Sequence, residues 1–421
     1  AFLSKERGIR PSMSKITMAA PCLFGLEGLV AGELRAMDAQ NVTAENGRVL
    51  FSGDEALLAR ANLNARYAER ICIRMGQCRA VTFEQLFQAV RALPWERWIG
   101  KTDAFPVKGH CVGAQLSSVS ACQSIIKKAV VERLRQVYRL PWFDESGPVH
   151  QIQFLNFHNE VTILLDTSGE GLHKRGYRAN ATEAPIKETL AAAMAYLAHV
   201  RGDSVVCDPC CGSGTLIIEA ALLAMHIAPG LRRRFAAEKW AQLPAEVWAA
   251  ERRRAQEQIR TDCTFRAFGS DIDPHAVQLA QENAAKAGVG KHVQIACADV
   301  ADFAPEARLP RADELPDGVR RPTGVLLCNP PYGERLLDIR QAEELYRVLG
   351  ARAPKGGWNM AIITPDEQFE DCFGRRADKR RKLYNGMIKC QVYLYDARSG
   401  QTGGKSGRTN DAPRSASRKE R

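Results

Sequence analysis

Four short apolar runs in the second half of the chain each stop at a polar residue of a chosen kind. Ser204 to Cys207 stops at Asp208, Phe268 to Ser270 at Asp271, Val293 to Ala298 at Asp299, and Gly324 to Cys328 at Asn329. Runs of this length, separated by helix-forming stretches, predict the buried strands of a parallel sheet. Open α/β sheets bind ligands at the carboxyl ends of their strands. One sheet edge would therefore carry three acids and an amide.

The fourth run continues as Asn329-Pro330-Pro331-Tyr332. A double proline stops a strand abruptly, because proline lacks the N–H that a ladder needs. It leaves an amide, a rigid carbonyl and an aromatic ring at the sheet edge. Asn329 Oδ1 and the Pro330 carbonyl can accept the two N–H bonds of an exocyclic amine, with Tyr332 stacked on its ring. A strand that merely ends in a Pro-Pro turn accounts for the same residues without chemistry. Asn329, Pro330 and Tyr332 are the candidate catalytic set.

Upstream, Asp208-Pro209-Cys210-Cys211-Gly212-Ser213-Gly214-Thr215 precedes an apolar helical run from Leu216 to Met225. Glycines between strand and helix let a ligand approach backbone N–H groups. The turn is not a phosphate-binding Walker loop, since no Gly-Lys-Ser/Thr follows. It also fails the dinucleotide fingerprint, since Ile217 stands at the third glycine position. Gly-x-Gly alone is weak. Combined with acids on the next two strand ends, it suits a ligand with an amino acid end, a ribose diol and an adenine, which is S-adenosylmethionine.

These segments together resemble class I S-adenosylmethionine-dependent methyltransferases acting on exocyclic amines. Gly333-Glu334-Arg335-Leu336 narrows the resemblance to THUMP-domain RNA guanine-N2 methyltransferases. Ala20 to Glu27, Gln123 to Lys128 and Gly169 to Arg178 are similar to the amino-terminal half of that family. The likeness runs from Lys15 to Ala397 and is greatest to the THUMP-methylase half of bacterial 23S rRNA guanine-N2 methyltransferases. That half can be fused to a second methylase, and none follows in this chain.

The resemblance implies an α/β class I methyltransferase fold, Rossmann-like, with a mostly parallel seven-stranded sheet and an antiparallel terminal hairpin. α+β ferredoxin-like and THUMP modules would precede it. It also implies a cofactor set of Thr189, Asp208, Gly212, Gly214, Thr215, Asp271, Ile272, Asp299, Val300 and Asn329. Within it, Asp208 faces the ammonium, Asp271 the ribose diol and Asp299 the adenine amine.

Domain boundaries follow composition and pattern. Residues 1–14 form an extension that is disordered or not native, with Met13 or Met18 a possible start. Residues 15–70 alternate strand and helix, with helix candidates over Gly25 to Met37 and Glu55 to Asn64. Residues 71–167, with a long helix over Ser120 to Tyr138, are the THUMP domain that the resemblance implies. Residues 168–397 form the methyltransferase domain. Within it, Asn385-Gly386 predicts a hairpin turn, and Pro229 to Arg260 reads as inserted helices facing an RNA cleft or plain solvent. Residues 398–421, rich in Gly, Ser, Arg and Lys, are an expected disordered basic tail.

The net charge of +11 is unevenly spread. Residues 1–180 hold 23 Lys and Arg against 17 Asp and Glu, residues 181–397 hold 29 against 29, and the tail holds 7 against 2. A neutral chemical domain with basic appendages suits a polyanion. Ordinary surface charge and a solubilising tail give the same totals. Lys127, Lys128, Lys174, Arg175, Arg178, Arg375, Arg376, Lys379 and Arg380 are the candidate RNA contacts, each also explicable as a solvated surface.

The 13 cysteines are odd in number and scattered through apolar runs, as reduced thiols in a cytoplasmic protein would be. Cys207, Cys210 and Cys211 lack a second pair at zinc spacing, so no metal is expected. No apolar run is long enough to span a membrane, and a monomer is expected. The expected function is methyl transfer to the N2 amine of a guanosine, in 23S rRNA or in tRNA. Rival readings are a protein glutamine methyltransferase, a DNA amino-methyltransferase and an RNA-binding module without catalysis.

Overall fold

The computed structural model describes residues 15–178, 185–310, 314, 321–332, 339–386 and 388–397. Expectations for residues 1–14, Gly333 to Leu336 and the tail 398–421 lie outside the described residues. Two sheets organise the rest.

The first half runs β1 (Ile16–Pro21), α1 (Glu27–Ala36), β2 (Gln40–Glu45), β3 (Arg48–Gly53), α2 (Glu55–Asn64), β4 (Cys72–Arg79), α3 (Phe83–Arg91), β5 (Val107–Val112), α4 (Val119–Tyr138), β6 (Ile152–Phe157) and β7 (Glu160–Asp166). Local chemistry sets its helix ends. Asp54 caps α2 through the Leu57 N–H, Thr82 and Gln85 close a capping box on α3, and Ser118 caps α4. The strands order as β2-β3-β1-β4-β7-β6-β5. The two modules expected here are therefore not separate layers. β1 pairs antiparallel with β4, Met18 opposite Ile73, so one sheet passes through both.

The second half runs α5 (Glu188–Leu197), β8 (Val205–Asp208), α6 (Thr215–Ala224), α7 (Ala245–Glu257), β9 (Arg266–Asp271), α8 (Pro274–Ala287), β10 (Val293–Cys297), β11 (Gly324–Cys328), α9 (Ile339–Arg352), β12 (Trp358–Thr364), α10 (Phe369–Phe373), β13 (Lys379–Asn385) and β14 (Ile388–Tyr395). Its sheet orders as β10-β9-β8-β11-β12-β14-β13. β10, β9, β8, β11 and β12 are parallel, while β14 runs antiparallel to both β12 and β13. This is the class I methyltransferase arrangement. β8 is the switch point, flanked by β9 on one side and β11 on the other, where a crevice opens at the carboxyl edge.

The halves share one apolar core, from Ile16 to Leu394, and several buried polar ties. Glu69 receives Thr189 Oγ1 at 2.7 Å and Lys187 Nζ at 3.1 Å, with His173 Nδ1 at 3.2 Å. Burial works against its carboxylate, but those partners outweigh burial and hold it at about 2. Arg60 forks onto Glu251 of α7 at 2.8 and 2.9 Å. Arg233 donates to the carbonyls of Gly171 and Glu170 at 2.6 and 2.7 Å. The insertion between Pro229 and Arg260 is thus tied to the first half through Glu251 and to the segment around Gly171 through Arg233, while Arg234, Arg253 and Arg254 are exposed.

Candidate active site

The register sets the acids side by side. Asp208 lies opposite Gly269, and Asp271 opposite Cys297. Asn329 follows β11 on the other flank of β8. Asp208 is buried; its Oδ1 accepts the Cys210 N–H at 3.1 Å, while its Oδ2 is buried without a hydrogen-bond partner among the described residues. Burial pushes its carboxyl up to about 8, with the Asp271 charge adding to the rise. A ligand ammonium would satisfy that oxygen and return the carboxyl to its ionised form.

The glycine turn is braced from β9. Gly212 N–H donates to Asp271 Oδ2 at 2.8 Å, and Asp271 Oδ1 accepts the Asp273 N–H at 3.0 Å. Gly214 sits at φ +81°, and a Cβ there would lie 3.0 Å from Ala280 Cβ, so the turn can close onto α8 only with glycine. Asp271 is therefore already a structural acceptor, and a diol would use its remaining lone pairs. Beyond it Ile272 is 70% exposed, an apolar side chain left open at a polar sheet edge. Asp299 is exposed and accepts the Ala301 N–H at 2.8 Å, and Val300 is buried beside it.

Two predicted cofactor residues are occupied internally. Thr189 is buried and donates to Glu69. Thr215 Oγ1 accepts from Arg178, whose guanidinium also reaches the Ile186 carbonyl at 3.3 Å.

On the other flank, every residue of β11 is buried. Among the described residues Asn329 Oδ1 is likewise buried and without a partner. An unpaired buried amide oxygen costs about 1–3 kcal/mol, which a donor reaching it would recover. Tyr332 packs on the core, and its hydroxyl accepts the Asn385 Nδ2–H at 2.9 Å and lies 3.7 Å from Cys390 Sγ. Burial raises its hydroxyl above the ordinary tyrosine value, so it stays neutral. Asn385 and Cys390 were missed by sequence reasoning. The Asn-Gly signal located the hairpin but not what its asparagine holds.

The candidate RNA contacts divide in two. Arg175, only 3% exposed, is no surface ligand: it meets Glu219 at 3.4 Å and donates to the carbonyls of Leu172 and Arg66 at 2.7 and 2.6 Å. Arg178 is held as above. Lys127 pairs with Glu145 and donates to the Phe105 carbonyl at 3.1 Å. Arg375 lies 5.0 Å over the Tyr395 ring, and Arg380 pairs with Glu370. A lysine or arginine beside a buried carboxylate or open carbonyl is drawn inward, which no local pattern reveals. Lys128, Lys174, Arg376, Lys379 and Arg380 are exposed, Lys174 with Glu170 at 3.1 Å and Arg380 with its Glu370 partner.

A cavity of about 390 Å³ lies away from this edge, lined by Glu33, Arg66, Tyr67 and Tyr196, and contains none of the motif residues. Among the described residues no group of three or more His, Cys, Asp or Glu side chains is placed to hold a metal ion. Among them, too, no helix is long and apolar enough to cross a membrane.

Residues 175–393 match the family described as "RMKL-like, methyltransferase domain". The chain belongs to that family. Residues 17–72 match the RlmL ferredoxin-like domain and residues 80–166 the THUMP domain. The chain is 39% identical over 386 residues to YpsC of Bacillus subtilis (strain 168), whose name proposes an RNA methyltransferase, covering 91% of this chain and 96% of that one. It is 33% identical over 385 residues to the "Ribosomal RNA large subunit methyltransferase K/L" of Aeromonas salmonicida (strain A449), covering 89% of this chain but 53% of that protein. It thus spans about half the length of that longer relative. Among solved structures, SMU.472, named as a methyltransferase and complexed with SAH, is 38% identical with a TM-score of 0.82, covering 91% and 98% of the two chains. The protein is a class I methyltransferase, and S-adenosylmethionine is the methyl donor of that class.

Proposed function

We propose that the protein transfers a methyl group from S-adenosylmethionine to the N2 amine of a guanosine in structured RNA, with 23S rRNA the foremost substrate and tRNA the alternative. The observation that carries the reading is Asn329 Oδ1, a buried acceptor with no partner among the described residues, set between the prolines and the Asp208 flank. The THUMP domain beside it and the large-subunit rRNA relatives support RNA over DNA or protein.

The cofactor residues fit. Asp208 Oδ2 takes the ammonium, and Gly212, Gly214 and Thr215 let the methionine part approach the turn, whose Gly212 and Gly214 N–H groups are held by Asp271 Oδ2 and the Cys211 carbonyl. Asp271 takes the ribose diol, Ile272 and Val300 flank the adenine, and Asp299 accepts its amine. Bound there, the donor supplies an electrophilic methyl. The rest falls to the chain's own side chains.

The guanine N2 lone pair is delocalised into the ring, so the amine is a poor nucleophile. Asn329 Oδ1 and the Pro330 carbonyl accept its two N–H bonds, which draws nitrogen toward tetrahedral geometry and aims its lone pair. Tyr332 offers its ring to a base flipped out of its stack. No strong base is required, because a methylated ammonium on guanine is acidic and loses its proton to water. Positioning carries most of the rate.

Mass spectrometry of nucleosides from 23S rRNA and tRNA treated with enzyme and donor tests the reading. N2-methylguanosine that disappears with Asn329→Ala is expected. N6-methyladenosine, or methylation of DNA or protein alone, would overturn it.

A further inference from the structure

The segment Leu23 to Leu26, between β1 and α1, touches the terminal hairpin of the catalytic domain. Gly25 sits at φ +90°, and a Cβ there would lie 2.9 Å from Leu383 Cδ2 and 3.1 Å from the Lys382 carbonyl. Lys382 pairs with Gln391, and Gln391 with Thr364 at the carboxyl end of β12, so this part of the hairpin overhangs the active edge. Leu383 pairs with Cys390, and Asn385 lies two residues on, which puts all three on one face of the hairpin. Cys390 and Asn385 are the residues that hold the Tyr332 hydroxyl. The loop and the candidate stacking ring therefore share one supporting surface.

On that loop Phe24 is 60% exposed. It is also firmly built. Glu27 Oε2 accepts the Gly25 N–H at 2.8 Å, and its Oε1 accepts the Gly47 N–H at 2.9 Å, so one carboxylate ties both loops. The Phe24 ring lies over Gly47, whose Cβ position would be 3.3 Å from Phe24 Cε1. Lys382, Tyr384 and Lys389 lie on the opposite face of that hairpin from Leu383 and are exposed. A rigid open ring is the usual platform for an unpaired nucleobase, since every base offers a π-face.

We infer that Phe24 stacks an unpaired base of the RNA next to the target nucleotide, so that the ferredoxin-like module forms part of the rim of the catalytic cleft. The inference rests on RNA being the substrate. Phe24→Ala should fold and melt as wild type, because the ring is mostly in water, and should bind the donor normally by calorimetry. On transcribed 23S rRNA its KM should rise roughly fivefold to a hundredfold, the range of one lost base–aromatic stack, with kcat changed less than about twofold. Phe24→Trp should restore KM. Gly25→Ala, which pushes the loop off Leu383, should raise KM similarly while Phe24 is intact.

The arms separate the two readings. Wild-type enzyme that methylates no RNA overturns the RNA reading and this inference with it. Wild-type activity on RNA together with an unchanged KM for Phe24→Ala overturns this inference alone. A KM defect seen on ribosomal particles but absent on protein-free RNA would assign the ring to a protein partner, and overturns it too.

Discussion

The Asn385 side-chain amide donates to the Tyr332 hydroxyl at 2.9 Å, joining the last hairpin of the fold to the ring at its active edge. The Tyr332 hydroxyl is thus anchored from β13, 53 residues on. Asn385→Ala should lower kcat by roughly three- to tenfold, as loss of one net hydrogen bond of about 0.5–1.5 kcal/mol would. Tyr332→Phe should behave alike, and the double variant should be no worse than either single one. Steady-state kinetics in a double-mutant cycle reads this; additive losses would mean the two side chains act independently.

Asn329→Ala removes the proposed amine acceptor and nothing that touches the donor's amino acid end. Methyl transfer should fall by about 10²–10³, the usual loss of one orienting group. Donor affinity by calorimetry should hold within a few-fold. Activity close to wild type would remove Asn329 from the mechanism.

Burial raises the Asp208 carboxyl from 3.8 to about 8, so the free protein holds it protonated at neutral pH. The unfolded chain loses that proton near 3.8, hence this group's share of stability is full at low pH and lost as pH climbs to about 8. An arriving ammonium should drive the proton off. Calorimetry near pH 7 in buffers of different ionisation enthalpy should detect release of close to one proton on donor binding, and Asp208→Asn should abolish it. Binding without release in the wild type would place the ammonium elsewhere.

Asp271 braces Gly212 and would also hold the diol, so Asp271→Ala should hurt donor binding through both. A loss of at least about 1.5–3 kcal/mol is expected, the value of a charge-assisted hydrogen bond. Asp271→Asn, which keeps one acceptor, should recover part of it. Unchanged affinity in the alanine variant would move the ribose from this strand end.

Arg175 separates a structural reading from an RNA-binding one. Removing it leaves Glu219 buried and uncompensated, so Arg175→Ala should destabilise the protein by roughly 3–5 kcal/mol. Urea denaturation measures this. A phosphate ligand would instead leave stability unchanged and flatten the salt dependence of RNA binding by close to one unit of slope.

What the chain determined by itself is what depends on neighbours in sequence. Apolar runs stopped by Asp208, Asp271, Asp299 and Asn329 define a parallel sheet and its active edge. Asp54, Thr82 and Gly386 mark element ends, because caps and turns are local hydrogen-bond and φ requirements. What only the tertiary structure decided is the partner of each long polar side chain. Arg175 and Lys127 look like surface cations along the chain, yet they turn to carboxylates 44 and 18 residues away. The joining of β1 to β4 into one sheet, and the reach of Asn385 to Tyr332 across 53 residues, are likewise invisible locally. A buried polar atom cannot turn to water, so the packed fold decides which partner it meets.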